Sequence, residues 1–227
     1  MMNIRSFDSL GDLSRATAHA LLQQVQEGAR TIGLSGGSTP QPLYELLGHS
    51  PLRDAFAEFP ITWVVVDERY VPISHPQSNA AMIERTLFAQ GMPSSHRFLR
   101  FRTELNDPEL TAKTFADEWQ AMGLTKLDIA TLGMGDDGHT ASIFADSPLL
   151  DFDPRIAAAV FVPKMHMWRV TLTMQVLRAA TLRYVLATGA AKKPLIAETR
   201  AGATYPIARA TAGVETWWFL DRAAAPE

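Results

Sequence analysis

A chain of 227 residues with 47% hydrophobic content is long enough to bury a sizeable core, and its 21 basic against 24 acidic residues leave a net charge of −3 with no basic stripe or acidic tail. That balance argues against nucleic acid and membrane surfaces as partners, while a few converging cations could still bind an anionic small molecule. Cysteine is absent, which removes disulfides, thiol nucleophiles and cysteine-ligated zinc together.

The first residues, MMNIRSFDSLGDL, lack the apolar run of a signal peptide, and the longest apolar runs, such as AAAVFV, are too short to cross a bilayer, so a cytoplasmic protein is expected. LSRATAHALLQQVQ has helical spacing of its apolar positions. RTIGLS then reads as a short strand ending in glycines. In STPQPLYELLG, Ser38 or Thr39 is a candidate cap, Pro40 suits a first turn and Gly48 a helix stop.

The strand–loop–helix unit recurs. ITWVVV is an unbroken apolar run followed by DERYVP, and SNAAMIERTLF opens on a good capping residue. RFLRF is a weaker strand before DPELTAKTFADEWQAM, where Asp107 caps and Pro108 takes the first helical position. KLDIATLGMG leads into GMGDDGHTASIF. RIAAAVFV, WRVTLTM with QVLRAA, TLRYVLATG with AAKKPLIAETR, and ETWWFL complete the chain. Apolar strands alternating with helices predict an α/β fold: a doubly wound, mostly parallel, Rossmann-like sheet with helices on both faces, in a single domain over 1–227.

In such sheets ligands sit outside the carboxyl ends of the strands. Four polar clusters fall there: SGGSTP, DERYVP, GMGDDGH and TGAAKK. Successive amides in SGGST could cradle a phosphate, with Gly36 and Gly37 allowing close approach, or the segment is an ordinary strand-to-helix turn. It is not a Walker loop, since G-x-x-x-x-G-K-[ST] is missing. Gly33, Ser35 and Gly37 also spell G-x-S-x-G, a nucleophile elbow. RTIGLS reads as the first strand, however, so no earlier strand–helix loop is expected to supply the oxyanion donor.

In DERYVP, Arg69 suits a phosphate or a developing oxyanion, and Asp67 and Glu68 could orient it or bind sugar hydroxyls; the plainer alternative is a surface ion-pair cluster. His139 is the candidate base, with Asp137 to fix its tautomer or hold a substrate hydroxyl. A histidine capping a nearby helix is the competing reading, and no H-E-x-x-H or close histidine pair supports a metal. Arg169 and Lys192 are single cations, each commonplace alone. Together with SGGST they could enclose a phosphate from three directions. The methionines and tryptophans, Trp217 and Trp218 included, read as packing.

Taken in order, SGGSTP, VDERYVPISHPQSN, LGMGDDGHTASIF, RVTLT and TGAAK, from Ser35 to Lys192, resemble the glucosamine-6-phosphate isomerase/6-phosphogluconolactonase family. The resemblance implies hydrolysis of 6-phosphoglucono-δ-lactone to 6-phosphogluconate in the oxidative pentose phosphate pathway, without cofactor or metal. It implies His139 as the base activating water, Asp137 beside it and Arg69 close to the lactone. Asp67 belongs to the substrate-binding set, and Gly36, Gly37, Ser38 or Thr39, Arg169 and Lys192 contact the phosphate. Deaminase relatives carry an aromatic residue at the position of Arg69, so the resemblance favours the lactonase branch over a glucosamine-6-phosphate deaminase. A non-catalytic sugar-phosphate sensor is the other alternative, but no helix-turn-helix or basic stripe is evident. The protein is expected to act as a monomer. Two stretches depart from the family pattern: Phe144 is followed by Ala145 instead of Pro-Gly, and KMHMW stands where several prolines are usual.

Overall fold

A computed structural model describes residues 2–227. Seven strands, β1 (Met2–Phe7), β2 (Thr31–Leu34), β3 (Thr62–Val65), β5 (Arg97–Leu99), β6 (Ile129–Gly133), β9 (Leu182–Ala187) and β10 (Thr216–Asp221), form one parallel sheet in the order β1-β10-β9-β6-β2-β3-β5. Three more, β4 (Asp67–Arg69), β7 (Ala157–Val162) and β8 (Met167–Leu172), form an antiparallel sheet in the order β4-β8-β7. The helices are α1 (Leu10–Gln26), α2 (Gln41–Leu47), α3 (Leu52–Ala57), α4 (Asn79–Thr86), α5 (Pro108–Ala121), α6 (Met174–Ala179), α7 (Lys192–Arg200) and α8 (Pro206–Thr211).

Every residue of β2 and β9 is buried, as expected for parallel strands covered on both faces. From β2 the chain builds outward through β3 to β5, then returns to lay β6 on the other flank of β2 and continues to β9 and β10. The switch point of the sheet therefore lies between β2 and β6, and the loops that follow them are neighbours.

Capping chemistry sets several helix starts. Ser9 accepts from the Asp12 amide at 3.1 Å, Ser78 from that of Ala81 at 3.2 Å, and Asp107 from those of Glu109 and Leu110 at 2.7 and 3.0 Å. The expected cap on α2 is not made. Pro40 occupies the cap position without a side-chain bond, and the Thr39 hydroxyl instead pairs with that of Thr188 at 3.1 Å. Nor does a helix start beside His139, where the chain runs through turns and one isolated bridge, Thr140 to Ile143; helix capping by His139 is thereby replaced.

Two further expectations change. DER is not a loop leaving a strand end but β4, a strand of the second sheet. The two sheets meet at Val66, whose N–H donates to the Leu34 carbonyl and whose carbonyl accepts from the Leu172 N–H, both at 2.9 Å. RTIGLS is not the first strand either, because β1 precedes it and pairs with β10 at the sheet edge. Trp218 is fully buried and Trp217 lies under the Arg5 guanidinium, 4.1 Å from its ring centroid, consistent with packing roles. Among the described residues no helix is long and apolar enough to cross a membrane.

Candidate active site

Adjacent β2, β6 and β9 bring SGGST, GMGDDGH and TGAAK side by side at the carboxyl edge of the parallel sheet, and the second sheet delivers β4 and β8 to the same place. Together they line a cleft of about 480 Å³. Gly36, Gly37, Ser38, Thr39, Asp67, Arg69, His139, Arg169 and Lys192 all face it, and Asp137 stands behind His139. A larger recess of about 710 Å³ between α6 and α8 contains none of these residues.

His139 Nδ1 lies 2.5 Å from Asp137 Oδ1, which also accepts from the His139 backbone N–H at 3.2 Å. Burial pushes the Asp137 carboxyl upward, but hydrogen bonds from Lys164 and from His139 outweigh it and hold the group well below the usual carboxylate range. An ionised carboxylate only accepts, so the neutral ring carries its proton on Nδ1 and presents the Nε2 lone pair. The ring stacks on Phe144 at 4.2 Å between centroids. Glycine is required at position 135 because a Cβ there would stand 2.0 Å from His139 Nδ1. The loop is closed by the Gly135 N–H donating to the His139 carbonyl, and by the Thr140 hydroxyl donating to that of Gly133, both at 2.9 Å.

Arg69 and Arg169 are register partners on β4 and β8. Asp67 Oδ2 accepts from the Ser142 hydroxyl at 2.6 Å and lies 3.9 Å from the Arg169 guanidinium. Burial pulls the Arg169 pKa below its ordinary value, opposed by the nearby Asp67 charge. Each arginine keeps a buried Nε without a hydrogen-bond partner. Lys192 is the first residue of α7, and its ammonium pairs with Asp136.

Glu68 does not reach the cleft, contrary to the expectation that it orients Arg69 or binds hydroxyls. Its carboxylate accepts from the amides of Arg69, Asn79 and Ala80 at 2.7 to 2.8 Å and from the Ser78 hydroxyl at 3.1 Å, fastening β4 to the start of α4. Burial raises its pKa despite those bonds.

In the glycine loop, Gly37 has φ +104° and a Cβ on Gly36 would meet Asn79 Oδ1 at 1.8 Å. Asn79 lines the cleft and donates to the Asp67 carbonyl at 2.7 Å. The amides of Gly36, Gly37 and Ser38 have no acceptor among the described residues, which suits an anion. The argument from strand order against a Ser35 nucleophile falls with the presence of β1, but the conclusion survives on other grounds. β10, β9 and β6 separate β1 from β2, and Ser35 Oγ is buried with no hydrogen-bond partner, so no base activates it. Gly33 serves packing: a Cβ there would lie 2.8 Å from Leu127 Cδ1.

Asn79 and Lys164 were not singled out from the sequence. Asn79 appears only within VDERYVPISHPQSN and SNAAMIERTLF, and Lys164 belongs to the unusual KMHMW stretch. No group of three or more His, Asp or Glu side chains among the described residues could hold a metal ion.

An imidazole held by a carboxylate, in one cleft with arginine and lysine side chains and an open amide loop at a sheet switch point, marks an α/β enzyme class suited to small anionic molecules. The family model described as glucosamine-6-phosphate isomerases/6-phosphogluconolactonase matches residues 8–218. The 6-phosphogluconolactonase of Synechocystis sp. is 32% identical, covering 88% of this chain and 85% of that protein. That of Bos taurus is 33% identical, covering 98% and 92%. Among solved structures, 6-phosphogluconolactonase from Trypanosoma cruzi superposes with a TM-score of 0.86 at 26% identity, covering 99% of this chain and 96% of that one. The chain belongs to the glucosamine-6-phosphate isomerase/6-phosphogluconolactonase family.

Proposed function

We propose that this protein hydrolyses 6-phosphoglucono-δ-lactone to 6-phosphogluconate, the step of the oxidative pentose phosphate pathway for which its relatives are named, with His139 as the base. The observation that carries the mechanism is that one cleft holds the Asp137-oriented imidazole together with Arg169, Lys192 and the SGGST amides.

His139 Nε2 takes a proton from water as its oxygen bonds to the lactone carbonyl carbon, and the carbonyl π electrons move to oxygen. Arg69 faces the cleft with a buried, unpartnered Nε and stabilises that oxyanion. As the tetrahedral intermediate collapses, the C–O bond to the ring oxygen breaks and the imidazolium returns its proton to the departing alkoxide. Base and acid are thus one residue, worth about a hundredfold to ten-thousandfold. The phosphate, gripped by Arg169, Lys192 and the amides of Gly36 to Thr39, fixes the lactone remote from the reacting carbon and lowers the entropic part of the barrier. Asp67 orients Arg169 and borders the sugar. No step calls for a cofactor or metal, and we read the enzyme as a cytoplasmic monomer.

The test is substrate loss above the spontaneous rate for the phosphorylated lactone, run beside ammonia release from glucosamine 6-phosphate, each with and without EDTA. Lactone hydrolysis insensitive to EDTA is expected. Ammonia release without lactone loss would move the protein to the deaminase branch, and turnover of neither would leave a binding protein.

A further inference from the structure

Lys164 sits in the 3-10 turn Pro163–Met165 at the tip of the β7–β8 hairpin, just before His166 in the left-handed region at φ 47°. Its ammonium contacts Asp137 Oδ2, the oxygen that His139 does not use. The same ammonium lies 4.4 Å from the centroid of Phe144, the ring on which His139 stacks. Lys164 therefore touches both groups that set the orientation of the imidazole, yet it does not line the cleft. The next residue ties the turn to the opposite side of the site, since Met165 Sδ accepts from the Arg169 guanidinium at 3.0 Å.

We propose that Lys164 is a positioning residue of the reaction, holding Asp137 in the orientation from which that carboxylate aligns His139. The inference rests on the role given to His139 above. A carboxylate with one oxygen unpaired can rotate away from Nδ1; with the ammonium on that oxygen, rotation breaks two charge-assisted contacts at once. The lysine charge also offsets that of Asp137 and so limits how strongly the carboxylate favours the imidazolium. The other charged groups around this cluster are Asp136 with its partner Lys192, and Asp67, Arg69 and Arg169 across the cleft.

The test compares Lys164→Met and Lys164→Arg with the wild-type chain. Lys164 is exposed at a hairpin tip, so both variants should melt with the wild type. Lys164→Met is expected to lower kcat about tenfold, equivalent to about 1.4 kcal/mol of transition-state stabilisation, with KM and 6-phosphogluconate affinity changed by less than about twofold. Lys164→Arg should restore most of kcat. The acid limb of the rate profile in Lys164→Met should move to higher pH, since the Asp137 charge would then act on the imidazole unopposed. Titration of the His139 imidazole by NMR in ligand-free protein should show the same shift. An unchanged imidazole titration with unchanged kcat would overturn the proposal, as would a raised KM at unchanged kcat, which would make Lys164 a substrate contact. The NMR shift needs no turnover: its presence in a chain without lactonase activity would keep the positioning and reject the functional reading.

Discussion

Arg69 and Arg169 face each other directly across the antiparallel β4–β8 pair, two like charges in register with Asp67 as the nearest carboxylate, 3.9 Å from Arg169. Directly opposed like charges on neighbouring strands are unfavourable in themselves. On the proposed reading the two are held together because they serve two developing or fixed negative charges of one ligand, the oxyanion at Arg69 and the phosphate at Arg169.

That relationship predicts the behaviour of the cations. Arg169→Ala and Lys192→Ala should each weaken 6-phosphogluconate about tenfold to a hundredfold, the loss expected of a hydrogen bond to a charged group, while gluconate without the phosphate changes little. Isothermal titration with the two ligands checks it. Equal losses for both would remove the phosphate role.

His139→Ala should lower kcat about a hundredfold to ten-thousandfold and leave 6-phosphogluconate affinity near the wild-type value. The separation follows from the proposed roles, in which the ring acts at the reacting carbon and the cations hold the far end of the ligand. Turnover close to wild type would reassign the base.

Asp137 couples activity to acid stability. Its folded-state pKa lies below the unfolded value, near 4. Its stabilising contribution is therefore fully present above that value and is lost as pH falls below about 4. Asp137→Asn should flatten the loss of thermal stability between about pH 4 and pH 2 and reduce kcat at neutral pH, because an amide does not hold the Nδ1–H tautomer as a carboxylate does. Parallel melting curves in acid for the two proteins would contradict the first part, and unchanged kcat the second.

Asp136 gives a prediction of opposite sign. In the ligand-free protein its exposed carboxylate pairs with the Lys192 ammonium, the same group assigned to phosphate. A phosphate competes with it for the ammonium. Asp136→Asn should therefore tighten 6-phosphogluconate by about twofold to fivefold, the scale of a solvent-screened ion pair, read from competition against the substrate. Weaker binding would show that Asp136 is itself a ligand contact.

Much of the main sheet was readable because β2, β3, β6 and β9 are short runs of apolar residues buried on both faces. β1 escaped notice because MNIRSF is an edge strand with exposed Arg5 and Ser6 and little apolar density. β4 escaped because three charged residues carry no strand signal; burial in a second sheet and the amides around Glu68 override their propensity. Most of the site was legible as clusters at strand ends, since glycine, histidine and aspartate crowd there visibly. The Lys164–Asp137 contact was not, for it joins residues 27 positions apart through a hairpin whose shape no local pattern specifies.

Val66 gives one peptide unit to two ladders, its nitrogen to the parallel sheet and its oxygen to the antiparallel one. The imidazole loop follows β6 of the first and the paired arginines sit on β4 and β8 of the second, so this peptide unit, with the Ser142–Asp67 hydrogen bond, ties the two halves of the cleft together. Such a slot measures its ligand as a caliper would. On the proposed assignment of His139 and the cations, selection among sugar phosphates then depends on how well the span from ester carbon to phosphorus matches that opening.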